Sequence, residues 1–158
     1  MKKLALLFAG LSLFVATGCD NNDDNNTIEY PIVGTWQPIK KVVTSVPIGG
    51  TPVSDGISFD TACQKTSRWV FKEGSAGKRT DNGDSATPGT CQPNFDRNFT
   101  YTYDRESKAI QVKYQGIVEP GKGKVTLLNE TTLNISFEDT TDPTEFHSET
   151  FTLKRIPQ

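Results

Sequence analysis

Apolar and polar residues alternate in short runs along most of the chain from Ile32 onward. A period of two is typical of strands that bury one face and expose the other. The clearest runs are 68–72, 99–103, 110–114, 133–138 and 151–155. Turn residues separate them, including a predicted turn at 119–123. A less regular strand covers 34–44, where Pro38 has to lie at an edge or a bulge. Strands at this spacing, without a convincing amphipathic helix, predict an all-β sandwich or closed barrel.

Two segments between these runs have an amino-acid composition that is typical of loops. Residues 46–60 are rich in Gly, Pro and Ser, and residues 75–93 are predominantly polar. We expect both to be long loops, and we expect the second to be the least ordered part of the domain.

The first residues of the chain have the pattern of a secretory signal. Lys2 and Lys3 precede an apolar run that is too short to span a bilayer permanently, and small residues lead to Cys19. Residues 15–19, Val-Ala-Thr-Gly-Cys, resemble the lipobox of bacterial lipoproteins, with Ala16 where leucine is usual. The resemblance implies cleavage before Cys19 and acylation of this cysteine, with palmitate among the acyl groups. The alternative is an ordinary secreted protein that is cut elsewhere.

Residues 19–30 combine the acylated cysteine with an Asp/Asn-rich tether that has almost nothing to bury. Acidic residues after the cysteine resemble the signal that sends lipoproteins of Bacteroides-type bacteria to the outer face of the outer membrane. In enteric bacteria, an aspartate at this place instead indicates retention at the inner membrane. We expect a lipid-anchored protein of the cell envelope, at the outer membrane under the first rule.

Charge and cysteine usage fit such a location. The formal net charge is −2, and it becomes −4 once Lys2 and Lys3 leave with the signal, so we expect no nucleic-acid partner. Cys63 and Cys91 are then left as a pair in an oxidising compartment, and a disulfide between them would stabilise the fold by roughly 3 to 4 kcal/mol. Two buried thiols or a metal pair are the alternatives, and the spacing does not favour a metal.

Several short motifs resemble a known family in their order and spacing. They are Val-Gly-Thr-Trp at 33–36, Cys-Gln-Lys at 63–65, Trp-Val-Phe-Lys-Glu-Gly at 69–74, Cys91, and Thr-Leu-Lys-Arg at 152–155. Together they are similar to the lipocalin-like domains of Bacteroides-type lipoproteins. The resemblance implies a single eight-stranded antiparallel up-and-down barrel over 31–158. It also implies that Trp36, near the start, is covered by Arg155 from the closing strand. Because residues two apart in a strand face the same side, Arg155 lies on the inner face with Phe151 and Leu153, where an indole could stack on its guanidinium.

Residues suited to catalysis are few. His147, the only histidine, shares its strand face with Glu149, which suggests a polar pair at the barrel mouth or simply a solvated strand end. No nucleophile motif accompanies it, and one histidine with bridged cysteines cannot hold zinc. We therefore expect a protein that is not an enzyme and that has no cofactor and no metal.

Two functions fit a barrel of this kind. In the first, the interior holds a small apolar or amphipathic ligand, lined by inward-facing side chains: Trp69, Phe71, Phe99, Tyr101, Tyr103 and His147. In the second, the same rings fill the core, and the loops at 46–60 and 75–93 bind an envelope protein or a glycan. An open lumen of several hundred cubic ångströms would favour the first function.

Overall fold

The structure, a computed structural model, describes residues 30–139, 142 and 144–157. The predicted signal peptide, Cys19 and the tether up to residue 29 lie outside the described residues. Nine strands are present in the described part of the chain: β1 Gly34–Pro47, β2 Val53–Ser58, β3 Arg68–Phe71, β4 Ala76–Asp84, β5 Cys91–Tyr103, β6 Ala109–Tyr114, β7 Gly121–Leu128, β8 Thr132–Asp139 and β9 Glu145–Ile156. Two short 3-10 turns, Gln64–Thr66 and Glu73–Ser75, flank β3.

The strands form one antiparallel sheet that closes on itself. Their order is β2-β1-β3-β4-β5-β6-β7-β8-β9, and β1 also pairs with β9 along almost its whole length. Strands β1 and β3–β9 therefore make the predicted eight-stranded barrel. The remaining strand, β2, pairs with the second half of β1, beyond the short stretch that pairs with β3. The register of β1 and β9 shifts between Pro38 and Lys40, at the residue expected to interrupt the strand.

The two ends of the barrel differ. Strand β1 begins and β9 finishes at one end, which we call the closed end. The β1–β2, β4–β5, β6–β7 and β8–β9 connections lie at the other end, which we call the mouth. These connections, rather than those at the closed end, surround the access to the interior.

Three strands lie where the sequence indicates loops or turns. Strand β2 lies within the predicted 46–60 loop, β4 lies within the predicted 75–93 loop, and β7 begins inside a turn predicted at 119–123. The prediction of two long loops is therefore wrong in part, because both segments contribute strands to the sheet.

Glycines on the inner face explain why the alternation of apolar residues does not predict β4 and β7. A Cβ on Gly77 would lie 2.3 Å from the Phe99 ring, so this ring occupies the space of a side chain on β4. A Cβ on Gly123 would lie 2.2 Å from the carbonyl oxygen of Ser136 and 3.0 Å from the Phe137 ring. The alternation of apolar residues vanishes where a neighbour's ring fills the inner position.

The closed half of the barrel is filled by side chains. Its buried apolar core comprises Ile32, Trp36, Trp69, Phe71, Phe99, Tyr101, Ile110, Val112, Val125, Leu133, Ile135, Phe151 and Leu153. Apart from Ile32, which precedes β1, these residues come from every barrel strand except β4, whose inward positions hold a glycine and charged residues. Burial of this set is the main source of stability of the fold.

Trp36 and Arg155 meet at the closed end. The Arg155 guanidinium lies 4.0 Å from the centre of the Trp36 ring, which is itself fully buried. Arg155 also donates hydrogen bonds to the carbonyl oxygens of Pro31, Val33 and Glu130, while the Trp36 indole donates to the carbonyl of Ile32. The pair thus ties the segment before β1 to the final strand and seals this end of the barrel.

Cys63 and Cys91 form the disulfide that the sequence predicts, with a Cα–Cα distance of 5.3 Å. Cys63 is buried and directly precedes the Gln64–Thr66 turn, and Cys91 opens β5. The Ser67 hydroxyl accepts a hydrogen bond from the backbone of Asn82, which holds the same segment against β4. The bridge therefore ties the connection between β2 and β3 to the start of β5.

Candidate functional site at the barrel mouth

Most side chains predicted to contact a ligand belong to the packed core. Trp69, Phe71, Phe99 and Tyr101 are buried, and Tyr103 packs against them at the closed half of the barrel. The Phe71 ring centre lies 5.2 Å from that of Phe99 and 5.0 Å from that of Tyr101. Ligand contact by these five residues stays a prediction, and their mutual packing favours a structural role.

Above this core, the interior changes to a polar layer centred on Arg79. Its guanidinium donates two hydrogen bonds to one carboxylate oxygen of Asp81, at 2.8 and 2.5 Å, and one to the Tyr114 hydroxyl at 3.2 Å. The other Asp81 oxygen accepts a hydrogen bond of 3.2 Å from the Trp69 indole. The cluster of Arg79, Asp81 and Tyr114, which we call the Arg79 cluster, forms the floor of the open half.

Aromatic rings surround the same guanidinium. The Arg79 Cζ atom lies 4.3 Å from the ring centre of Trp69, 4.8 Å from that of Phe95 and 4.9 Å from that of Phe151. Stacked rings and a paired carboxylate compensate for the cost of removing a cation from water. Arg79 therefore joins the apolar core below to the polar mouth above.

The Arg79 cluster shifts the ionisation of its members. Burial acts to lower the pKa of Arg79, but the hydrogen bond and the charge of Asp81 and the contact with Tyr114 outweigh it, so the pKa is raised. For Tyr114, burial is the largest influence, and it raises the pKa of the hydroxyl. Arg79 opposes this shift, and the charges of Asp81 and Glu149 add to it. Arg79 stays charged and Tyr114 stays neutral at physiological pH.

We expect this shift to appear as a loss of stability in alkaline solution. The Tyr114 hydroxyl ionises in the unfolded chain at its usual pKa of about 10, below its pKa in the folded protein. Stability is therefore fully present below this pH and falls as the pH rises toward the folded value. Tyr114→Phe removes this part of the slope and costs about 1 kcal/mol at neutral pH through the lost hydrogen bond. Urea unfolding at a series of pH values measures both, and an unchanged alkaline slope in the variant would contradict a buried neutral hydroxyl.

Charged side chains of β1 and β9 line the barrel nearer to the mouth. Lys41 and Glu149 form an ion pair at 2.9 Å. His147 bonds through Nδ1 to the Ser45 hydroxyl at 2.8 Å and through Nε2 to Glu145 at 3.0 Å. The polar pair suggested for His147 and Glu149 is therefore not formed, because each of them has a different partner.

A cleft with a volume of about 750 Å³ opens at this end of the barrel. It lies between the inner sides of β1, β8 and β9 and the connection from β6 to β7. Its lining residues are Val43, Glu119, Pro120, Gly121, Lys122, Phe137, Glu138, Asp139, His147, Ser148 and Glu149. His147 is the single predicted ligand-contacting residue that the structure places in this lining. We call this volume the mouth cleft.

Sequence reasoning missed most of the residues around the mouth. Arg79 and Asp81 lie in a segment interpreted as a loop, and because the neighbouring Lys78 is also charged, no two-residue alternation distinguishes them as inward residues. Tyr114 shares its strand face with Ile110 and Val112 and was therefore visible as an inward residue. Among the described residues, no group of three or more metal-ligating side chains is present.

Comparison with known proteins places the chain in a family. Residues 32–135 match the model of the lipocalin-like domain. The chain therefore belongs to the lipocalin-like domain family, in agreement with the closed eight-stranded barrel and with the resemblance of its sequence motifs. The match does not extend to the narrower attribution to lipoproteins of Bacteroides-type bacteria.

A similar solved structure is titled bovine odorant-binding protein, deswapped triple mutant. It shares 12% sequence identity, the match covers 79% of this chain and 74% of that chain, and the TM-score is 0.40. A search of curated proteins gave no match. In the described part of the chain, no helix is long and apolar enough to cross a bilayer.

Proposed function

We propose that this protein binds a small amphipathic molecule in the mouth cleft. The observation that carries the proposal is the division of the barrel into a filled closed half and an open half with a cleft of about 750 Å³. A volume of this order accommodates a small organic ligand. The ligand lies above the Arg79 cluster and not among the aromatic residues of the core.

The lining provides both kinds of contact that an amphipathic molecule needs. Val43, Pro120 and the Phe137 ring offer apolar surface. On the facing strand, Glu149 binds Lys41 through one carboxylate oxygen and offers the other as a hydrogen-bond acceptor, while His147, held by Ser45 and Glu145, adds the face of its ring. Gly121 leaves the opposite wall without a side chain, so the cleft extends toward Phe137, whose ring would lie 3.6 Å from a Cβ at this position. The apolar part of the ligand therefore contacts β1, β7 and β8.

The charge of the lining selects against an anionic ligand. Four carboxylates, those of Glu119, Glu138, Asp139 and Glu149, line the cleft together with one lysine, Lys122. Glu149 is paired with a second lysine, Lys41, so the cleft keeps an excess of two acidic groups. A negative surface potential attracts cations and disfavours anions. The polar part of the ligand is therefore uncharged or positively charged.

The proposed setting is the cell envelope. The signal-like residues 1–18 and the lipobox-like ending at Cys19 support cleavage and lipid anchoring, with the outer membrane as the destination. The described chain starts at the closed end of the barrel, so an anchor at Cys19 attaches to the end opposite the mouth. The proposed role is binding rather than catalysis.

A variant that fills the cleft tests the proposed site. Val43→Trp places a large ring in the lining, whereas Val42→Trp places the same ring on the outer face of β1, one residue away. We expect N-phenylnaphthylamine, a neutral fluorescent amphiphile, to bind the wild type and Val42→Trp alike and to bind Val43→Trp at least about tenfold more weakly. Equal loss in both variants, or no binding to the wild type, would contradict the proposal.

Competing amphiphiles of opposite charge test the electrostatic argument. We expect dodecyltrimethylammonium to displace N-phenylnaphthylamine at concentrations about tenfold lower than dodecyl sulfate does, with both detergents kept below micelle formation. The difference should shrink in high salt, because salt screens interactions between exposed charges. A preference for dodecyl sulfate would show that the carboxylates do not select the ligand.

A further inference from the structure

Strand β2 is an edge strand next to the mouth. It pairs with β1 from Lys40↔Ser58 to Ser45↔Val53 and stands at the end of the strand order. No strand in the described part of the chain pairs with its other edge. Half of its backbone N–H and C=O groups therefore point away from the sheet, ready to accept another strand.

The side chains of β2 leave this edge accessible. All six residues are exposed, and Val53 and Ile57 expose 65% and 43% of their surface. Both lie on the face that β1 turns toward the barrel interior, because they pair with Ser45 and Lys41. The outer face carries only Ser54, Gly56 and Ser58, which are small enough for a neighbouring chain to approach.

Asp55 supplies the only charge on the strand. It lies between Val53 and Ile57 on the inward face, and no described residue forms a hydrogen bond or an ion pair with it. A strand added beside β2 would bring its own side chain opposite this carboxylate. Opposite charges in such cross-strand positions are stabilising, and like charges are destabilising.

The sequence of β2 argues against pairing with a second copy. Two copies related by a twofold axis normal to the sheet can align the whole strand in two ways. One alignment places Asp55 opposite Asp55, which is repulsive. The other places Gly56 opposite Gly56, where no side chains meet, and glycine weakens a strand interior. A partner of different sequence, with a basic residue opposite Asp55, avoids both problems.

We propose that β2 captures an extended peptide segment of another protein by strand addition. The segment has apolar residues at alternate positions, which contact Val53 and Ile57, and a lysine or arginine between them, which pairs with Asp55. Main-chain hydrogen bonds supply the affinity, and the alternate side chains supply the specificity. The added strand lies beside the mouth cleft, so the bound partner becomes part of its rim.

Synthetic peptides test this interaction in the full chain. The probe is the labelled peptide Ser-Val-Thr-Lys-Thr-Val-Ser, in which lysine shares one face with both valines. It is compared with a glutamate version and with a lysine version that is methylated on every backbone nitrogen. Fluorescence anisotropy reports binding to the wild type, to Asp55→Lys and to the control Glu106→Lys. The control makes the same charge change in the exposed β5–β6 connection at the closed end.

We expect the wild type and Glu106→Lys to prefer the lysine peptide over the glutamate peptide by about tenfold, and Asp55→Lys to reverse this preference. The methylated peptide should not bind, because it lacks the N–H groups of a strand. The proposal is overturned if no peptide binds, if methylation has no effect, or if Asp55→Lys keeps the wild-type preference. A wild-type dimer in which hydrogen exchange shows protection of β2 would also overturn it, since a second copy would then occupy the edge. These outcomes do not depend on the mouth cleft.

Discussion

Trp36→Ala should lower the free energy of unfolding by about 3 to 5 kcal/mol, the cost of removing a large buried aromatic side chain. Trp36 is fully buried and belongs to the core cluster, so the deletion leaves a cavity at the closed end. It also removes the surface on which the Arg155 guanidinium stacks and the hydrogen bond to the Ile32 carbonyl. Both β1 and β9 lose the contact that seals this end.

Urea unfolding followed by tryptophan fluorescence and far-ultraviolet circular dichroism measures this loss. Arg155→Met keeps an apolar stem over the indole but removes the hydrogen bonds to three carbonyl oxygens, and we expect it to cost about 1 to 3 kcal/mol. Ile39→Ala, at an exposed position of β1, serves as a control and should change stability by less than about 0.5 kcal/mol. A Trp36→Ala protein as stable as the control would show that the barrel does not depend on this closure.

Asp81→Ala should destabilise the protein by about 3 kcal/mol, because it leaves the Arg79 guanidinium in the barrel interior without its counter-ion. The side chains of Arg79 and Asp81 expose only 17% and 15% of their surface. The loss therefore comes mainly from an uncompensated buried charge rather than from a surface ion pair. The Trp69 indole loses an acceptor in the same variant.

A double variant separates this mechanism from simple loss of packing. Arg79→Met combined with Asp81→Leu removes both charges and keeps apolar volume, so it should recover most of the stability lost in Asp81→Ala. Denaturant titrations of the wild type, Arg79→Met, Asp81→Leu and the double variant give the coupling free energy. Additive losses in the double variant would mean that the two side chains act independently, against the arrangement of the Arg79 cluster.

The regular strands were visible in the sequence because their inner positions are apolar. Trp69 and Phe71 of β3, or Leu133 and Ile135 of β8, alternate with residues that face outward, and each pair is buried in the barrel. The disulfide could also be predicted, since only two cysteines remain in the domain. The contact between Trp36 and Arg155 at the closed end was predicted from the family resemblance. The alternation of β9, which places Arg155 on the same face as Phe151 and Leu153, supports it.

The strands that the sequence did not predict have inner faces without regularly spaced apolar residues. In β4, the inward residues around the ion pair are Gly77, Arg79 and Asp81, so no apolar period exists. Their burial depends on partners from β3, β5 and β6, such as Trp69 and Tyr114, which a local pattern does not contain. The mouth cleft could not be predicted for the same reason, because its lining comes from four separate segments of the chain.

The position of the proposed ligand site is the main point on which the structure changes the interpretation of the sequence. The sequence indicated aromatic residues as the lining of a cavity, whereas Phe71, Phe99 and Tyr101 pack against one another. Since a closely packed interior leaves little free volume, the site that we propose lies above them. The proposed site is therefore shallow and polar at one side, which suits an amphipathic molecule better than a wholly apolar one.

The most direct test is to locate a bound amphiphile on the protein by nuclear magnetic resonance. Isotopically labelled protein is titrated with N-phenylnaphthylamine, and the shifts of backbone and side-chain signals are mapped along the chain. The account predicts that the perturbed signals cluster at Val43, Gly121, Phe137 and His147, with those of Phe71 and Phe99 unchanged. Perturbation confined to Phe71 and Phe99, or none at the mouth at saturating probe, would contradict binding in the mouth cleft.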